Sequence, residues 1–246
     1  MKSIKKSLKS AKKLSLKLLF PQRCRFCDRV IAINETACKG CLETKNEITG
    51  EICMLCGFKK SDCVCKKRKS FYTAVASPYY YEGAAGVAVK KLKFGKATHI
   101  AESLSEDMAK CFFERFSKYS FDFAAYVPMT KKDEKKRGFN QAQLLAAGVS
   151  KRTGIPLKDA LEKIFETSQQ HTLKEYERSG NVLGVFAVKE EVLPFIKHAR
   201  ILLCDDVKTT GATLNECAKT LLIAGADEVF CLTATTVKKS FKKPER

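Results

Sequence analysis

The sequence predicts an α/β protein, a parallel-sheet core with flanking helices, preceded by a small cysteine-rich module. Three observations carry that expectation. From residue 70 onward, strand-like apolar runs alternate with helix-like runs. Two of those runs, "RILLCDD" and "DEVFCLTATTV", enclose one amphipathic segment, "TLNECAKTLLIAGA". That is a βαβ unit, which implies parallel strands joined by a right-handed crossover. Finally, eight of the twelve cysteines lie between Cys24 and Cys65, with only Cys111, Cys204, Cys217 and Cys231 beyond.

The chain divides into three parts: a basic amphipathic segment at 1–20, the cysteine module at 21–69, and the α/β domain at 70–246. In the first, Ile4, Leu8 and Ala11 recur at helical spacing. The preferred reading is a helix packing its leucines on the neighbouring module, with a membrane surface as the alternative. In the third, "YTAVASPYYY" reads as a strand or hairpin. "GVAVKKLKF" and "IAESLSEDMAKCFFERF" read as helices, with Leu104, Met108 and Cys111 on one face. "FDFAAYVPM" is a strand stopped by Pro128, and "NQAQLLAAGVSKRTG" a helix closed by Gly154. In "TLNECAKTLLIAGA", Leu214, Cys217, Ala218, Leu221 and Leu222 share a face.

The cysteines come in pairs: Cys24 with Cys27, Cys38 with Cys41, Cys53 with Cys56, and Cys63 with Cys65. Two thiolates from one short knuckle reach the same tetrahedral ion, and a second knuckle closes the site. Eight sulfurs therefore suit two structural zinc sites, without which so short a module would scarcely fold. Sequential pairing is simplest; spacing alone leaves interleaved pairing open. Redox pairs are the competing reading, disfavoured because no thioredoxin-like strand accompanies them.

A secreted disulfide scaffold is set aside, because "MKSIKKSLKSAKKLSLKLLF" scatters seven lysines and lacks the apolar core of a signal peptide. No run of 18 apolar residues exists, so a membrane span is excluded. The expected location is cytoplasmic, with association at the inner membrane face as the variant the basic segment allows. The formal net charge of +19 points to polyanionic partners. Two zinc tetrathiolates would lower it to about +15, so part of the lysine content balances thiolates.

The stretch Ile201–Thr213 reads "ILLCDDVKTTGAT". An apolar strand delivers Asp205 and Asp206 to the edge where open α/β sheets bind ligands. Thr209, Thr210, Gly211, Ala212 and Thr213 follow at the start of a helix, where free N–H groups favour an anion. Small hydroxyl residues and a glycine suit a phosphate, and adjacent acids suit vicinal hydroxyls or Mg²⁺. A ribose bearing a 5-phosphate satisfies both ends. A P-loop is excluded, since no G-x4-G-K-[ST] occurs.

All thirteen positions are similar to the phosphoribosyl-diphosphate motif of type I phosphoribosyltransferases. The order of segments resembles the ComF family, associated with bacterial natural competence, which joins a zinc ribbon to a type I phosphoribosyltransferase fold. The resemblance rests on the cysteine pairs, "KKLKFGK" at 90–96, Val127-Pro128-Met129, "RGFNQAQLLA" at 137–146, and the spaced Thr167, Gln170, Leu173, Arg178 and Asn181. It implies that Asp205 and Asp206 bind ribose hydroxyls, that the threonine-glycine loop wraps the 5-phosphate, and that Val127, Pro128 and Met129 form a diphosphate loop. Mg²⁺ would accompany phosphoribosyl diphosphate. It supplies no acceptor, so whether the chain is a transferase stays open.

Arg137, Asn140 and Gln141 follow "KKDEKK", read as a mobile basic loop for phosphates or, more blandly, a solvated charge run. Gln170, Arg178 and Asn181 fall in a polar stretch that suits a flap over the site. His99, His171 and His198 occur singly and carry no site. Two functions from different classes follow. One is a phosphoribosyltransferase-type enzyme active in DNA uptake. The other is a non-catalytic accessory whose basic runs at 1–20, 66–69 and 131–137 hold single-stranded DNA, with a competence helicase or other uptake proteins as partners.

Overall fold

A computed structural model describes residues 21–63, 65, 69–95, 97–164 and 182–238. The basic segment at 1–20, Lys66, Lys67 and Arg68, and the expected flap with Gln170, Arg178 and Asn181 lie outside the described residues.

The first cysteine pair is followed by α1 (Lys39–Thr44), which carries Cys41, and the third pair, Cys53 and Cys56, by a 3-10 turn at Lys60–Asp62. The chain then enters β1 (Ala74–Ala76) and β2 (Tyr79–Tyr80). These are one strand interrupted at Ser77 and Pro78, not a hairpin, because both pair parallel with the same neighbour. Pro78 has no N–H to give a ladder. Its carbonyl turns instead to the cysteine module and accepts from the Ile48 N–H at 2.8 Å.

Helices α2 (Gly83–Phe94) and α3 (His99–Phe116) follow as predicted. Gly83 adopts φ 50°, and any side chain there would run into the Thr44 carbonyl of α1. Leu104, Met108 and Cys111 are buried together. Next come β3 (Phe123–Tyr126), α4 (Lys131–Arg137) and α5 (Gln141–Thr153), the last closed by Gly154. The basic run expected as a mobile loop is thus a short helix. Thr130 caps it by accepting from the Asp133 N–H at 3.0 Å while donating to the Asp133 carboxylate at 2.8 Å. Asp133 thereby serves the cap and not only the local charge run.

A three-stranded antiparallel sheet follows, β4 (Leu161–Lys163), β5 (Val182–Leu183) and β6 (Phe186–Val188), in the order β4-β6-β5. After α6 (Leu193–Ile196) the chain completes the core with β7 (Arg200–Lys208), α7 (Ala212–Ile223) and β8 (Glu228–Thr236).

The main sheet runs β1-β8-β7-β3, with β2 continuing along β8, and every pairing is parallel. Both faces of its central strands are covered, which is why β7 and β8 read as near-continuous apolar runs. The fold is the expected α/β core with flanking helices behind a cysteine module. Leu214, Cys217, Ala218 and Leu221 of α7 are buried against it, while Leu222 is only partly covered.

The module packs closely on this core. Cys24, Phe26, Ala37 and Cys41 share the main hydrophobic cluster with Tyr79 and Val75, and Phe26 meets the Tyr79 ring edge-on at 5.8 Å. Backbone bonds join the two parts: Val75 N–H to Met54 O at 2.7 Å, and Tyr80 N–H to Asn46 O at 3.0 Å. Arg25 reaches α3, donating to Asp107 and to the Ser103 carbonyl, each at 2.9 Å. Tyr79 donates to the other Asp107 oxygen at 2.9 Å.

Candidate functional site

The eight cysteine sulfurs form two groups, Cys24, Cys27, Cys38 and Cys41, and Cys53, Cys56, Cys63 and Cys65. Within each group all sulfurs lie within 4.8 Å of one another. A tetrahedral zinc with Zn–S bonds of about 2.3 Å holds its sulfurs about 3.8 Å apart. Cys27 and Cys38 stand at 3.7 Å, and Cys53 and Cys65 at 3.5 Å. Both groups fit structural zinc, and the grouping is sequential. Burial works to raise the Cys27 thiol, but hydrogen bonds from Arg29 and neighbouring cysteines outweigh it and lower it to about 6. That favours the thiolate at Cys27, while burial pushes the Cys41 thiol of the same group up. Arg29 spans the first group, reaching Cys27 at 3.4 Å and Cys38 at 3.7 Å.

The second candidate site lies along the carboxyl ends of β3 and β7. Strand β7 does not stop at the acids; it continues to Lys208, pairing Asp205 with Thr233 and Lys208 with Thr236. On its other side β3 ends at Tyr126, opposite Cys204. Asp205 and Asp206 therefore outrun β3 and border the loop that follows it.

The two acids are not equivalent, since successive strand residues face opposite sides of a sheet. Asp206 is buried toward α2, where its Oδ2 lies 2.9 Å from Lys93 Nζ. Asp205 stands on the α7 side and accepts from the Asp206 N–H at 2.8 Å. Burial, then the charge of Asp206, push the Asp205 carboxyl up to about 8, with the Asp206 N–H and Lys93 opposing. One acid is thus buried in an ion pair, and the other sits in a site that disfavours its charge.

Beyond Lys208 the loop exposes Thr209 and Thr210, and Gly211 opens α7. Gly211 adopts φ 81°, a left-handed conformation costly for residues with a Cβ. Thr210 Oγ1 accepts from the Ala212 N–H at 3.2 Å, while Ala212 and Thr213 are exposed in the first turn of the helix. The floor of this loop comes from the cysteine module and from Tyr72, which leads out of it. Lys208 Nζ lies 5.0 Å from the Phe58 ring centroid, and a Cβ on Gly211 would stand 3.4 Å from the Tyr72 hydroxyl. Tyr72 in turn donates to Leu55 O at 3.1 Å, between Cys53 and Cys56.

Across the cleft, Val127 N–H donates to Cys204 O at 3.0 Å, which ties the start of the β3 loop to β7. The Asn140 side chain donates to Val127 O at 3.1 Å and accepts from the Ala142 N–H at 2.9 Å, so one residue fixes the loop and caps α5. Pro128 is buried and Met129 half-buried. Gln141 is buried, and its amide nitrogen finds no partner among the described residues. Arg137 ends α4 with its guanidinium 5.7 Å from the exposed Phe94 ring. Past Met129 lies a cavity of 220 Å³ bordered by Tyr126, Lys131, Asp159, Lys163 and Lys189.

A double zinc ribbon domain family model matches residues 15–68. Over 202 residues the chain is 29% identical to competence protein ComFC of Bacillus subtilis (strain 168), covering 78% of this chain and 80% of that protein. It is 26% identical over 230 residues to DNA utilization protein YhgH of Salmonella typhimurium, covering 89% and 99%. Along most of its length the chain is similar to competence proteins of the ComF type. Among solved structures, glutamine phosphoribosylpyrophosphate (PRPP) amidotransferase from B. subtilis, complexed with ADP and GMP, is similar with a TM-score of 0.39 at 22% identity. That match spans 53% of this chain and 25% of the other, about a quarter of its length.

The ComF segments expected from the sequence thus converge in part. Asp205, Asp206, the threonine-glycine loop, Val127–Met129, Arg137, Asn140 and Gln141 all gather at the β3 and β7 ends. Residues the sequence did not single out individually are Lys93, Lys208, Tyr72 and Phe58. Lys93 and Lys208 each had one available signal, their places in "KKLKFGK" and "ILLCDDVKTTGAT"; Tyr72 had only its place in a strand-like run, and Phe58 had none.

Proposed function

We propose that this ComF-like chain binds phosphoribosyl diphosphate with Mg²⁺ in the cleft between the β3 and β7 ends, and that it serves DNA uptake, as the names of its relatives indicate for them. The observation that carries the binding reading is the geometry of β7 into α7. A buried parallel strand presents two acids at the carboxyl edge and turns at Gly211 into the open N-terminus of a twelve-residue helix. In this reading the acids hold ribose hydroxyls, Thr209–Thr213 enclose the 5-phosphate, and Val127–Met129 with Arg137 face the Mg²⁺-bearing diphosphate. The flap with Gln170, Arg178 and Asn181 is proposed to complete it. The zinc ribbon supplies part of the loop floor through Phe58, and Tyr72, just beyond it, supplies the rest. Positioning and charge stabilisation are the means by which such a site promotes transfer to an acceptor.

The test is calorimetric titration with phosphoribosyl diphosphate and Mg²⁺. Asp205→Asn with Asp206→Asn should weaken binding by about 2–4 kcal/mol, the loss of charge-assisted bonds. Unchanged affinity in the double variant would remove this loop from the site.

A second reading, single-stranded DNA binding, is favoured by α4, whose Lys131, Lys132, Lys135 and Lys136 are all exposed. Log affinity should fall with log salt by about 0.7 per phosphate neutralised. Replacing these four lysines with alanine should flatten the slope by about 2–3 units. An unaltered slope would return α4 to a solvated surface.

A further inference from the structure

The last turn of α2 touches both halves of the cleft. Lys93 Nζ lies 2.9 Å from Asp206 Oδ2, and that carboxylate is only 10% exposed. The next residue, Phe94, is 76% exposed and carries the Arg137 guanidinium over its ring. Arg137 ends the basic helix that follows Val127-Pro128-Met129. Two consecutive residues of one helix therefore contact an acid on β7 and the cation beyond the β3 loop.

This arrangement creates a conflict for the proposed ligand. A ribose hydroxyl donating to Asp206 must share a mostly buried carboxylate with an ammonium that already holds its Oδ2. The hydroxyl is a neutral donor and displaces a lysine poorly unless the lysine gains something elsewhere. A diphosphate supplies it, because it concentrates more negative charge than one carboxylate. The loop after β3 borders the same cleft, since β3 and β7 are hydrogen-bonded neighbours. The flexible four-carbon stem of a lysine covers such a shift.

We propose that Lys93 is a positioning residue, paired with Asp206 in the free protein and moved onto the diphosphate when phosphoribosyl diphosphate binds, which releases Asp206 for a ribose hydroxyl. The inference rests on the phosphoribose reading of the cleft and adds a discrimination to it. A ligand with the 5-phosphate and hydroxyls but no diphosphate has nothing to offer Lys93. Ribose 5-phosphate must compete with the lysine for Asp206; phosphoribosyl diphosphate draws it away.

The experiment measures Kd for phosphoribosyl diphosphate and for ribose 5-phosphate, with Mg²⁺, on the full zinc-loaded chain. Lys93→Met should weaken phosphoribosyl diphosphate by about tenfold to a hundredfold, the loss of one charge-assisted contact. The same variant should bind ribose 5-phosphate as well as the wild type or better. Lys93→Arg, which keeps a cation, should restore part of the preference. Equal weakening of both ligands in Lys93→Met would show that the lysine only shapes the loop, and would overturn the inference. So would an unchanged affinity for phosphoribosyl diphosphate. A wild type that binds neither ligand would overturn the phosphoribose reading itself, and this inference with it.

Discussion

Replacing Arg25 with methionine tests whether the cysteine module is held to the core by one buried charge. Asp107 is 7% exposed and is met by Arg25 at 2.9 Å and by the Tyr79 hydroxyl at 2.9 Å. Lys110 stands further off, at 3.8 Å. Methionine keeps a stem of similar length but, among the described residues, leaves the carboxylate with Tyr79 and the distant Lys110. Breaking a buried pair on one side costs about 3–5 kcal/mol. Arg25 is partly open and Lys110 compensates a little, so about 2–4 kcal/mol is expected here. The assay is urea unfolding of zinc-loaded protein, with the midpoint and slope compared at fixed pH. Asp107→Asn in the same chain should recover part of the loss, because the uncompensated charge is gone. The pH dependence has a definite sign. Burial pushes the Asp107 carboxyl up, while Arg25 and Tyr79 pull it down. Without Arg25 it rises further, so folding takes up a proton and stability is lost as pH increases. The gap between variant and wild type should widen from pH 5 to pH 8. A loss below about 0.5 kcal/mol, the level of an ordinary surface change, would refute the anchoring role. So would a gap that narrows with rising pH.

Elemental analysis of protein purified without added metal should give two zinc ions per chain, and a value near one would discard the two-site assignment. Chelation should lower the melting temperature of the α/β core as well as unfold the module, since Phe26 and Tyr79 share one cluster; an unshifted core transition would contradict that coupling. Gly211→Ala should cost about 1–2 kcal/mol through its left-handed backbone, read as a lower melting temperature. No loss there would mean the loop adopts another conformation. Because Asp205 is pushed up to about 8 when folded, its contribution favours the folded state at low pH and fades as pH rises from about 4 to about 8. Asp205→Asn should flatten that part of the stability profile, and an unchanged profile would place the carboxyl in a more open setting.

Much of the core was legible because its signals are local and strong. Strands β7 and β8 are buried on both faces and so carry near-continuous apolar runs. Helix α7 carries a single buried stripe, and the cysteine knuckles are defined by spacing alone. The sequential grouping of the sulfurs needed the structure, since spacing permits either arrangement. Helix α4 was missed because its residues are nearly all charged; the period is invisible, and only Thr130 and Asp133 at one end and Gly138 at the other mark it. The small sheet β4-β6-β5 has strands of two or three residues, too short to show alternation. At the site, the acids and the threonine loop were readable as a contiguous run. The pairing of Asp206 with Lys93 joins elements far apart in the chain, as does the seating of Lys208 over Phe58. No local pattern encodes such partners.

The way the cysteine module meets the sheet bears on the behaviour of the protein in concentrated solution. Strands β1 and β2 form the outer border of the main sheet, and a bare border offers unpaired N–H and C=O groups to any passing strand. Here Met54, Asn46 and Ile48 occupy Val75, Tyr80 and Pro78 with main-chain bonds. The metal-braced knuckles thus act as a stopper on the sheet. Stripping the zinc would do more than loosen a small appendage: it would uncover a ready template for chain-to-chain pairing, and the apo form should self-associate.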